Sequence, residues 1–161
     1  MSGMSIDPDR LDMRSMSALR EAFRSAPEPT LDDLVGTHEG EFGGPRLLLA
    51  VLPRALGVLG MPGWYGKRFE RVPGDTDRAV GVNLVLRAGQ ICDSIPMTAR
   101  LGPSRVDGRP ALLIAYPAEA PFPWAMVADE ARPLGDRTLI ALNFAIPRIP
   151  LGLPFVLRRI G

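Results

Sequence analysis

From Gly36 onward, glycine, proline and aspartate divide the chain into short segments, and this spacing constrains the fold more than any other feature. Compact turn sequences such as RAGQ (87–90), VDGR (106–109) and LGDR (134–137) separate several of the segments. Seven or eight antiparallel strands in about 125 residues predict a barrel or a sandwich and disfavour a parallel α/β sheet. The predicted strands are 36–43, 64–72, 79–87, 90–101, 104–116, 123–132, 137–145 and 154–160.

Two segments have helical character. Asp7 before Pro8 predicts a helix start, and apolar residues at near-helical spacing extend this helix over 8–25 on the outside of the domain. The almost wholly apolar segment 46–61 lies between the first two strands and contains Pro53. A helix with so few polar residues must be buried on most sides or cover something apolar. We expect it either to cover one end of the barrel or to pack outside as an ordinary core helix.

Length and composition predict one globular domain without a nucleic-acid partner. The 161 residues divide into an N-terminal helical extension (1–29) and a single barrel domain (30–161). Their 46% hydrophobic and 23% charged content is ordinary for a globular protein. A net charge of +1 and few aromatic residues provide neither a field nor a stacking platform for nucleic acid.

Location and assembly are less constrained. Cys92 is the only cysteine, which precludes an internal disulfide and favours a reducing, cytoplasmic setting. The N-terminus lacks the apolar segment of a signal peptide. Pro53 and Arg54 interrupt the longest apolar stretch (47–64), so we predict no stable membrane insertion and leave a shallow surface contact open. The sequence also leaves open whether the barrel forms a homodimer.

Five sequence blocks carry a resemblance to a known family. LVGTHEGEF, GWYGKRF, DGRPALLIAYP, PFPWAMVADEARPL and LPFVLRRI resemble small uncharacterised bacterial proteins related to the GXWXG-type domain and its companion domain of unknown function. The resemblance covers residues 30–160, and GWYGKRF is its most specific block. The opening block is similar to the Gly-x-Trp-x-Gly motif of lipocalin-like and nitrobindin-like barrels, with His38 in the tryptophan position. The resemblance implies a calycin-like barrel of about eight strands and supplies no settled activity.

The opening strand contains His38, the only histidine of the chain. Strand alternation places it with Gly40 and Phe42 on one face, and Glu39 and Glu41 on the other. Because metal ligands must converge and no second histidine exists, we predict no metal site. The haem-binding histidine of nitrobindin-like proteins lies late in the chain, so haem is also disfavoured here. We expect a hydrogen-bonded histidine packed near the barrel base, and a general acid or base role is the alternative.

Aromatic residues beside glycines predict either core packing or the wall of a ligand pocket. Alternation along GWYGKRF defines two faces, Trp64–Gly66–Arg68 and Tyr65–Lys67–Phe69. A second aromatic block follows at PFPWAM. The candidate ligand-binding wall residues are Trp64, Tyr65, Phe69, Trp124 and Met126.

Three acids are candidates for chemistry. Asp93 lies between two isoleucines of the same predicted face, so it is an exposed or ion-paired residue or a general acid or base. In PWAMVADEARPL, one face combines Glu130 with Arg132 and the other places Asp129 among small residues. Alternation does not decide which face lines the cavity. Arg132 is suited to clamp a ligand carboxylate, although an ion pair with a neighbouring acid is commoner.

Three functions fit this sequence. The first is the binding of a small hydrophobic molecule in the barrel. The second is a cofactor-independent isomerase or cyclase acting on a polyketide- or terpenoid-like substrate, since a shaped dry cavity and one acid or base suffice. The third is a structural or interaction protein whose barrel is filled by its own side chains. The candidate catalytic residues are His38, Asp93, Asp129 and Glu130, and no cofactor motif is present.

Overall fold

The computed structural model describes residues 6–145 and 152–161. Eight antiparallel strands pair in chain order, and the last strand pairs with the first, which closes the barrel. This arrangement confirms the predicted fold. The strands are β1 (Gly36–Phe42), β2 (Trp64–Arg71), β3 (Arg78–Arg87), β4 (Gln90–Pro103), β5 (Pro110–Ala115), β6 (Ala128–Pro133), β7 (Thr138–Phe144) and β8 (Leu153–Ile160).

Local turn chemistry explains the sequential pairing. Arg87 faces Gln90 across the β3–β4 ladder, so only Ala88 and Gly89 form the turn. Both turn residues have positive φ, 49° and 76°, as in the tight turn that matches the twist of a hairpin. The predicted RAGQ turn is therefore confirmed.

Two predicted strands are shorter in the structure. The segment predicted as 104–116 becomes a strand only at Pro110, because residues 104–109 form the connecting turn. The segment predicted as 123–132 becomes one only at Ala128, because Trp124–Met126 forms a short 3-10 turn. Hydrogen bonds from the Ser104 amide to the Arg109 carbonyl and from the Gly108 amide to the Ser104 carbonyl hold the first turn. Pro121 and Pro123, which lack the amide that a strand ladder requires, precede the 3-10 turn.

The predicted N-terminal helix is divided. Pro8–Arg10 forms one 3-10 turn, and helix α1 covers Met16–Ser25, where the Ser15 hydroxyl caps the start by accepting from the Ala18 amide at 3.1 Å. Helix α1 packs on the outside of β7 and β8 and buries Leu19, Ala22 and Phe23. Its predicted place outside the barrel is confirmed.

The strand β7 is buried on both faces because α1 covers its outer side. Ile140, Leu142 and Phe144 pack in the outer cluster with α1, whereas Leu139 and Ala141 pack inside the barrel. A strand covered on both faces is continuously apolar, so its sequence does not indicate which side faces the interior.

One end of the barrel is sealed, and we call it the closed end. A 3-10 turn at Leu31–Asp33 precedes β1 and places Leu31 and Leu34 in the interior cluster. Phe69 and Met97 belong to the same buried cluster. The half of the barrel next to the closed end is therefore filled by side chains.

The opposite end, here called the open end, is covered by helix α2 (Arg46–Val58). No residue of α2 is buried, yet Leu52, Ala55 and Leu56 line a cavity beneath it. Of the two predicted positions for this segment, the structure shows the cover over one end. Within residues 6–145 and 152–161, no helix has the length and apolar character needed to cross a membrane.

Candidate ligand cavity

A cavity of about 140 Å³ lies between α2 and the filled half of the barrel. Its walls are mostly apolar, and a small group of polar side chains interrupts them. The lining residues comprise Phe42, Leu52, Ala55, Leu56, Leu59, Met61, Trp64, Lys67, Asn83, Tyr116, Pro123, Trp124, Val127, Asp129, Asn143, Ala145, Leu153 and Phe155. An apolar pocket with a few convergent polar groups is the usual form of a small-molecule site.

A β-bulge at the start of β2 determines which side chains enter the cavity. Trp64 faces Val85 and Gly66 faces Leu84, so Tyr65 is an extra residue without a partner on β3. The extra residue reverses the alternation, and Trp64 therefore shares the inner face with Lys67. The predicted separation of these two residues onto opposite faces is wrong for this reason.

Gly40 of the opening strand makes room for Trp64. A Cβ atom on Gly40 would overlap the indole ring, which lies directly against the glycine backbone. Phe42 and Phe155 flank the same ring, with centroid distances of 4.9 Å and 6.0 Å from Trp64. The segment GTHEGEF thus contributes a strand and a place for the cavity tryptophan.

Trp124 forms the part of the cavity wall that lies beside the C-terminal end of α2. Its indole nitrogen donates to the Leu59 carbonyl at 2.7 Å, which ties the β5–β6 connection to the residue after α2. Its ring packs against Tyr116 at 5.6 Å between centroids. Both tryptophans predicted as wall residues, at 64 and 124, line the cavity.

The polar side chains of the cavity form one cluster, called the polar group below, which consists of Lys67, Asn83, Tyr116, Asp129 and Asn143. Lys67 is its centre, and only 3% of the Lys67 side chain is exposed. Its ammonium group donates to Asn83 Oδ1 at 3.0 Å and to the Tyr116 hydroxyl at 3.1 Å. It also lies 3.0 Å from Asp129 Oδ2 and 3.7 Å from Met97 Sδ. Its hydrogen bonds thus go to two oxygens and one sulfur. Asp129 Oδ2 makes no hydrogen bond and balances the buried charge as an ion-pair partner.

The charge of Lys67 is stabilised by its surroundings. Burial alone would lower its pKa, but the Asp129 carboxylate and the Tyr116 oxygen outweigh burial and raise the pKa above the ordinary value. The faces of Trp64, Tyr116 and Phe155 lie 5.5–5.9 Å from the ammonium nitrogen and add cation–π attraction. Lys67 is therefore charged at neutral pH.

Asn83 is held by a second bulge, which lies in β4. Val82 faces Pro96 and Asn83 faces Ser94, so Ile95 is the extra residue. The Asn83 amide donates to the Ile95 carbonyl at 3.2 Å and to the Tyr116 hydroxyl at 3.0 Å. Its Oδ1 accepts from Lys67 and from the Trp64 indole nitrogen, the latter at 3.1 Å. Every hydrogen-bonding site of the Asn83 side chain is used.

Asp129 and Asn143 complete the polar group on adjacent strands. They face each other across the β6–β7 ladder, and the Asn143 amide donates to Asp129 Oδ1 at 2.6 Å. Burial, together with the nearby Asp129 charge, raises the pKa of Tyr116 above its ordinary value despite the opposing effect of Lys67. Tyr116 therefore keeps its proton at neutral pH.

His38 lies outside the cavity lining. It faces Lys67 across the β1–β2 ladder, but its Nε2 is 2.7 Å from the Leu34 carbonyl at the closed end. A carbonyl only accepts, so Nε2 carries the proton. Burial lowers the pKa of His38, and the Leu34 hydrogen bond opposes this effect only in part. The residue is packed near the barrel base as we expected, but only Nε2 is hydrogen-bonded, since Nδ1 is buried without a partner.

Three predicted wall residues are absent from the cavity. Tyr65 is the extra residue of the β2 bulge. Phe69 is buried in the interior cluster near the closed end, where it faces Gly36. Met126 is 52% exposed, because it belongs to the 3-10 turn and not to a strand. The prediction that these three residues form the ligand-binding wall is therefore wrong.

The strand β6 settles which of its acids faces inward. Asp129 lines the cavity, whereas Glu130 points outward and accepts from the Ser104 hydroxyl at 2.6 Å and the Arg105 amide at 3.0 Å. Arg132 also points outward, beneath α1. It binds both oxygens of Asp107, at 2.6 Å and 2.8 Å. Arg132 is thus structural in its contacts and does not reach the cavity.

Asp93 also lies away from the cavity. Its exposed carboxylate pairs with Arg68 at 2.7 Å on the outer surface. Ile91 shares the outer face with Asp93 and is 48% exposed, but the β4 bulge turns Ile95 away from that face and toward the interior cluster. The apolar stripe predicted around Asp93 is therefore wrong.

Four cavity residues with polar groups were missed as candidates from the sequence, namely Lys67, Asn83, Tyr116 and Asn143. Two of them carried a usable signal, since Lys67 stands among aromatic residues and Asn83 is the only amide in an apolar strand. The other two lie at strand ends, where polar residues are common. In the described part of the chain, no three metal-binding side chains lie together.

Comparisons with known proteins show the fold alone. A crystal structure of a protein from Thermomonospora curvata superimposes with a TM-score of 0.63. The two sequences are 22% identical, and the match covers 91% of this chain and 88% of that one. No family model matches this chain, and no curated protein is significantly similar to it.

Proposed function

We propose that the protein binds a small hydrophobic molecule in the cavity under α2. The observation that carries the proposal is an apolar cavity of about 140 Å³ whose polar side chains already satisfy most of one another. A dry cavity of about 150 Å³ lined by aliphatic and aromatic groups takes up benzene. The volume therefore suits one ring or a short branched chain.

The placement of both tryptophans supplies a direct assay. Trp64 and Trp124 are the only tryptophans in the chain, and both line the cavity. Intrinsic fluorescence therefore reports occupancy without a label. We expect titration with small apolar compounds to change the emission in a saturable way. Native mass spectrometry beside an organic extract should identify any molecule that copurifies.

Two alanines of α2 provide a matched pair of variants. Ala55 lines the cavity, whereas Ala50 is exposed on the same helix and lies outside the lining. Ala55→Phe fills the cavity and should abolish ligand uptake, and Ala50→Phe should leave it unchanged. Equal uptake by both variants would place the ligand elsewhere, and no uptake by the unmodified protein would favour the filled-barrel function. The cavity itself argues against a completely filled barrel.

One observation supports the isomerase or cyclase as a second candidate. The buried Asp129 carboxylate and the protonated Tyr116 hydroxyl both border the apolar cavity, at 3.0 Å and 3.1 Å from the same ammonium nitrogen. A base and an acid on one wall suit proton transfer to and from carbon. Terpenoid-like substrates incubated with the protein in D₂O should then exchange carbon-bound hydrogen for deuterium. The Asp129→Asn variant should not catalyse this exchange. If deuterium enters the substrate no faster than in buffer without protein, the enzyme function is excluded for that substrate and the binding function remains.

The remaining expectations stay predictions. They are the relation to the GXWXG-type family, a cytoplasmic location, the lack of a nucleic-acid partner and the open question of a homodimer.

A further inference from the structure

The Tyr116 hydroxyl has a proton to donate. Its oxygen accepts from Lys67 at 3.1 Å and from the Asn83 amide at 3.0 Å. Neither partner can accept, since the ammonium has no lone pair and the Asn83 amide is oriented by the two donors on its Oδ1. Within the described residues, the Tyr116 proton therefore has no acceptor in this group. Because Tyr116 lines the cavity, a ligand oxygen is the group it can reach.

Lys67, the cation of the polar group, is not available to a ligand. Lys67 donates its hydrogen bonds to Asn83, Tyr116 and Met97. Its charge is balanced by Asp129, and these two are the only charged side chains among the described cavity residues. A ligand carboxylate would be buried without a counter-ion and beside a like charge, which is strongly unfavourable.

A second neutral donor lies on the same wall. The Asn143 amide uses one N–H bond on Asp129 Oδ1 at 2.6 Å, and an amide nitrogen carries two. A carbonyl oxygen has two lone pairs and so can accept from both residues. The rest of the lining is apolar, which suits a hydrocarbon body.

We infer that the cavity selects a neutral carbonyl compound of single-ring size, whose oxygen accepts the Tyr116 proton. This inference rests on the proposed binding function and adds the chemical class of the ligand. A neutral hydrogen bond in a dry pocket changes affinity by about tenfold relative to an isostere that lacks the acceptor.

Cyclohexanone and methylenecyclohexane test the inference, because they have the same shape and differ only in C=O against C=CH₂. Affinities come from the fluorescence titration, and cyclohexanecarboxylate is the charged comparison. We expect cyclohexanone to bind about tenfold more tightly than methylenecyclohexane, and the carboxylate to bind more weakly than either. In Tyr116→Phe the preference for the ketone should vanish, whereas Tyr65→Phe, which changes the tyrosine outside the cavity, should retain it.

Infrared spectroscopy of bound cyclohexanone provides a readout that needs no variant. A hydrogen bond from Tyr116 lowers the carbonyl stretching frequency relative to that in a hydrocarbon solvent, and an unshifted band would overturn the inference even if Tyr116→Phe failed to fold. Equal affinities for the ketone and the alkene, or tighter binding of the carboxylate, would also overturn it and leave the binding function standing. No binding of any of the three compounds by the folded protein would count against the proposed function itself.

Discussion

The two ends of the barrel are built in opposite ways. At the closed end, Leu31 and Leu34 are buried, and Arg159 donates to the carbonyls of Asp32 and Asp33 at 3.3 Å and 3.0 Å. At the open end, no residue of α2 is buried. Of eleven large apolar side chains exposed in the described residues, eight lie on α2 or at the strand ends around it, namely Leu47, Val51, Val58, Leu59, Leu86, Ile91, Phe122 and Met126.

The closed end therefore contributes most to the stability of the barrel, whereas the open end controls access to the cavity. The side chains that close the barrel and fill its interior are concentrated at one end, where hydrogen bonds also tie down the backbone. The cover at the other end contributes little burial, so it can shift without unfolding the sheet. Regions with few buried apolar contacts open at the lowest free-energy cost. The ligand should therefore enter beside α2.

The same substitution at each end should show the largest contrast. Leu34 is 0% exposed at the closed end, whereas Leu47 of α2 is 80% exposed. Leu34→Ala leaves a cavity in the packed end and should reduce the free energy of unfolding by about 2–5 kcal/mol. Leu47→Ala should change it by less than about 0.5 kcal/mol. Urea denaturation measures both, and similar losses would show that α2 supports the barrel.

Acid should weaken the closed end more than the open end. The Arg132 guanidinium binds Asp107 in the β4–β5 turn and holds the pKa of this carboxyl at about 2, below its ordinary 3.8. A lowered pKa stabilises the folded state fully above pH 3.8, and this contribution is lost as the pH falls through about 2. The loss is less than about 2 kcal/mol, because Asp107 is exposed and solvent screens part of the interaction.

Asp107→Asn should remove this pH dependence, which unfolding curves between pH 2 and 5 would reveal. The matched control is Glu41→Gln near the open end, since Glu41 pairs with Arg158 on the surface at 2.9 Å. An exposed ion pair contributes at most about 1 kcal/mol. A Glu41→Gln effect as large as that of Asp107→Asn would contradict the contrast between the ends.

Two glycines near the open end should respond with opposite signs, and these are the smallest effects. Gly57 lies within α2, and an added Cβ would meet only Pro62 at 3.7 Å. Gly57→Ala should stabilise the helix by about 0.5–1 kcal/mol. Gly60 follows the helix with φ of 93°, so Gly60→Ala should destabilise the protein although no atom lies near the new methyl. Thermal unfolding separates the two, and slower ligand exchange in Gly57→Ala would show that α2 must move.

Much of the barrel was predictable because its signals are local. Turn residues at 88–89 and the spacing of the strands depend on neighbouring residues only. The two cavity tryptophans were also predictable, since large aromatic residues beside glycines favour a packed wall. The errors had two kinds of cause. A distant element, α1, covers Arg132, whereas a local 3-10 turn holds Met126 where a strand was predicted.

The inner face of each strand required the tertiary structure. Bulges at Tyr65 and Ile95 reverse the alternation of β2 and β4, and a bulge is defined by the partner strand as much as by its own sequence. Both bulges also serve the polar group, because one turns Trp64 toward Asn83 and the other presents the Ile95 carbonyl to it.

The sequence by itself determined the number of strands, the two helical segments and the apolar character of the second segment, since hydrophobic periodicity and turn chemistry act over a few residues. Only closure of the barrel brought Lys67, Asn83, Tyr116, Asp129 and Asn143 together, from strands up to 76 residues apart between Lys67 and Asn143. Their pairing depends on ladder register, which the sequence specifies through the whole packed interior. The barrel was therefore predictable from the sequence, whereas the arrangement of polar side chains in its cavity was decided by the tertiary structure.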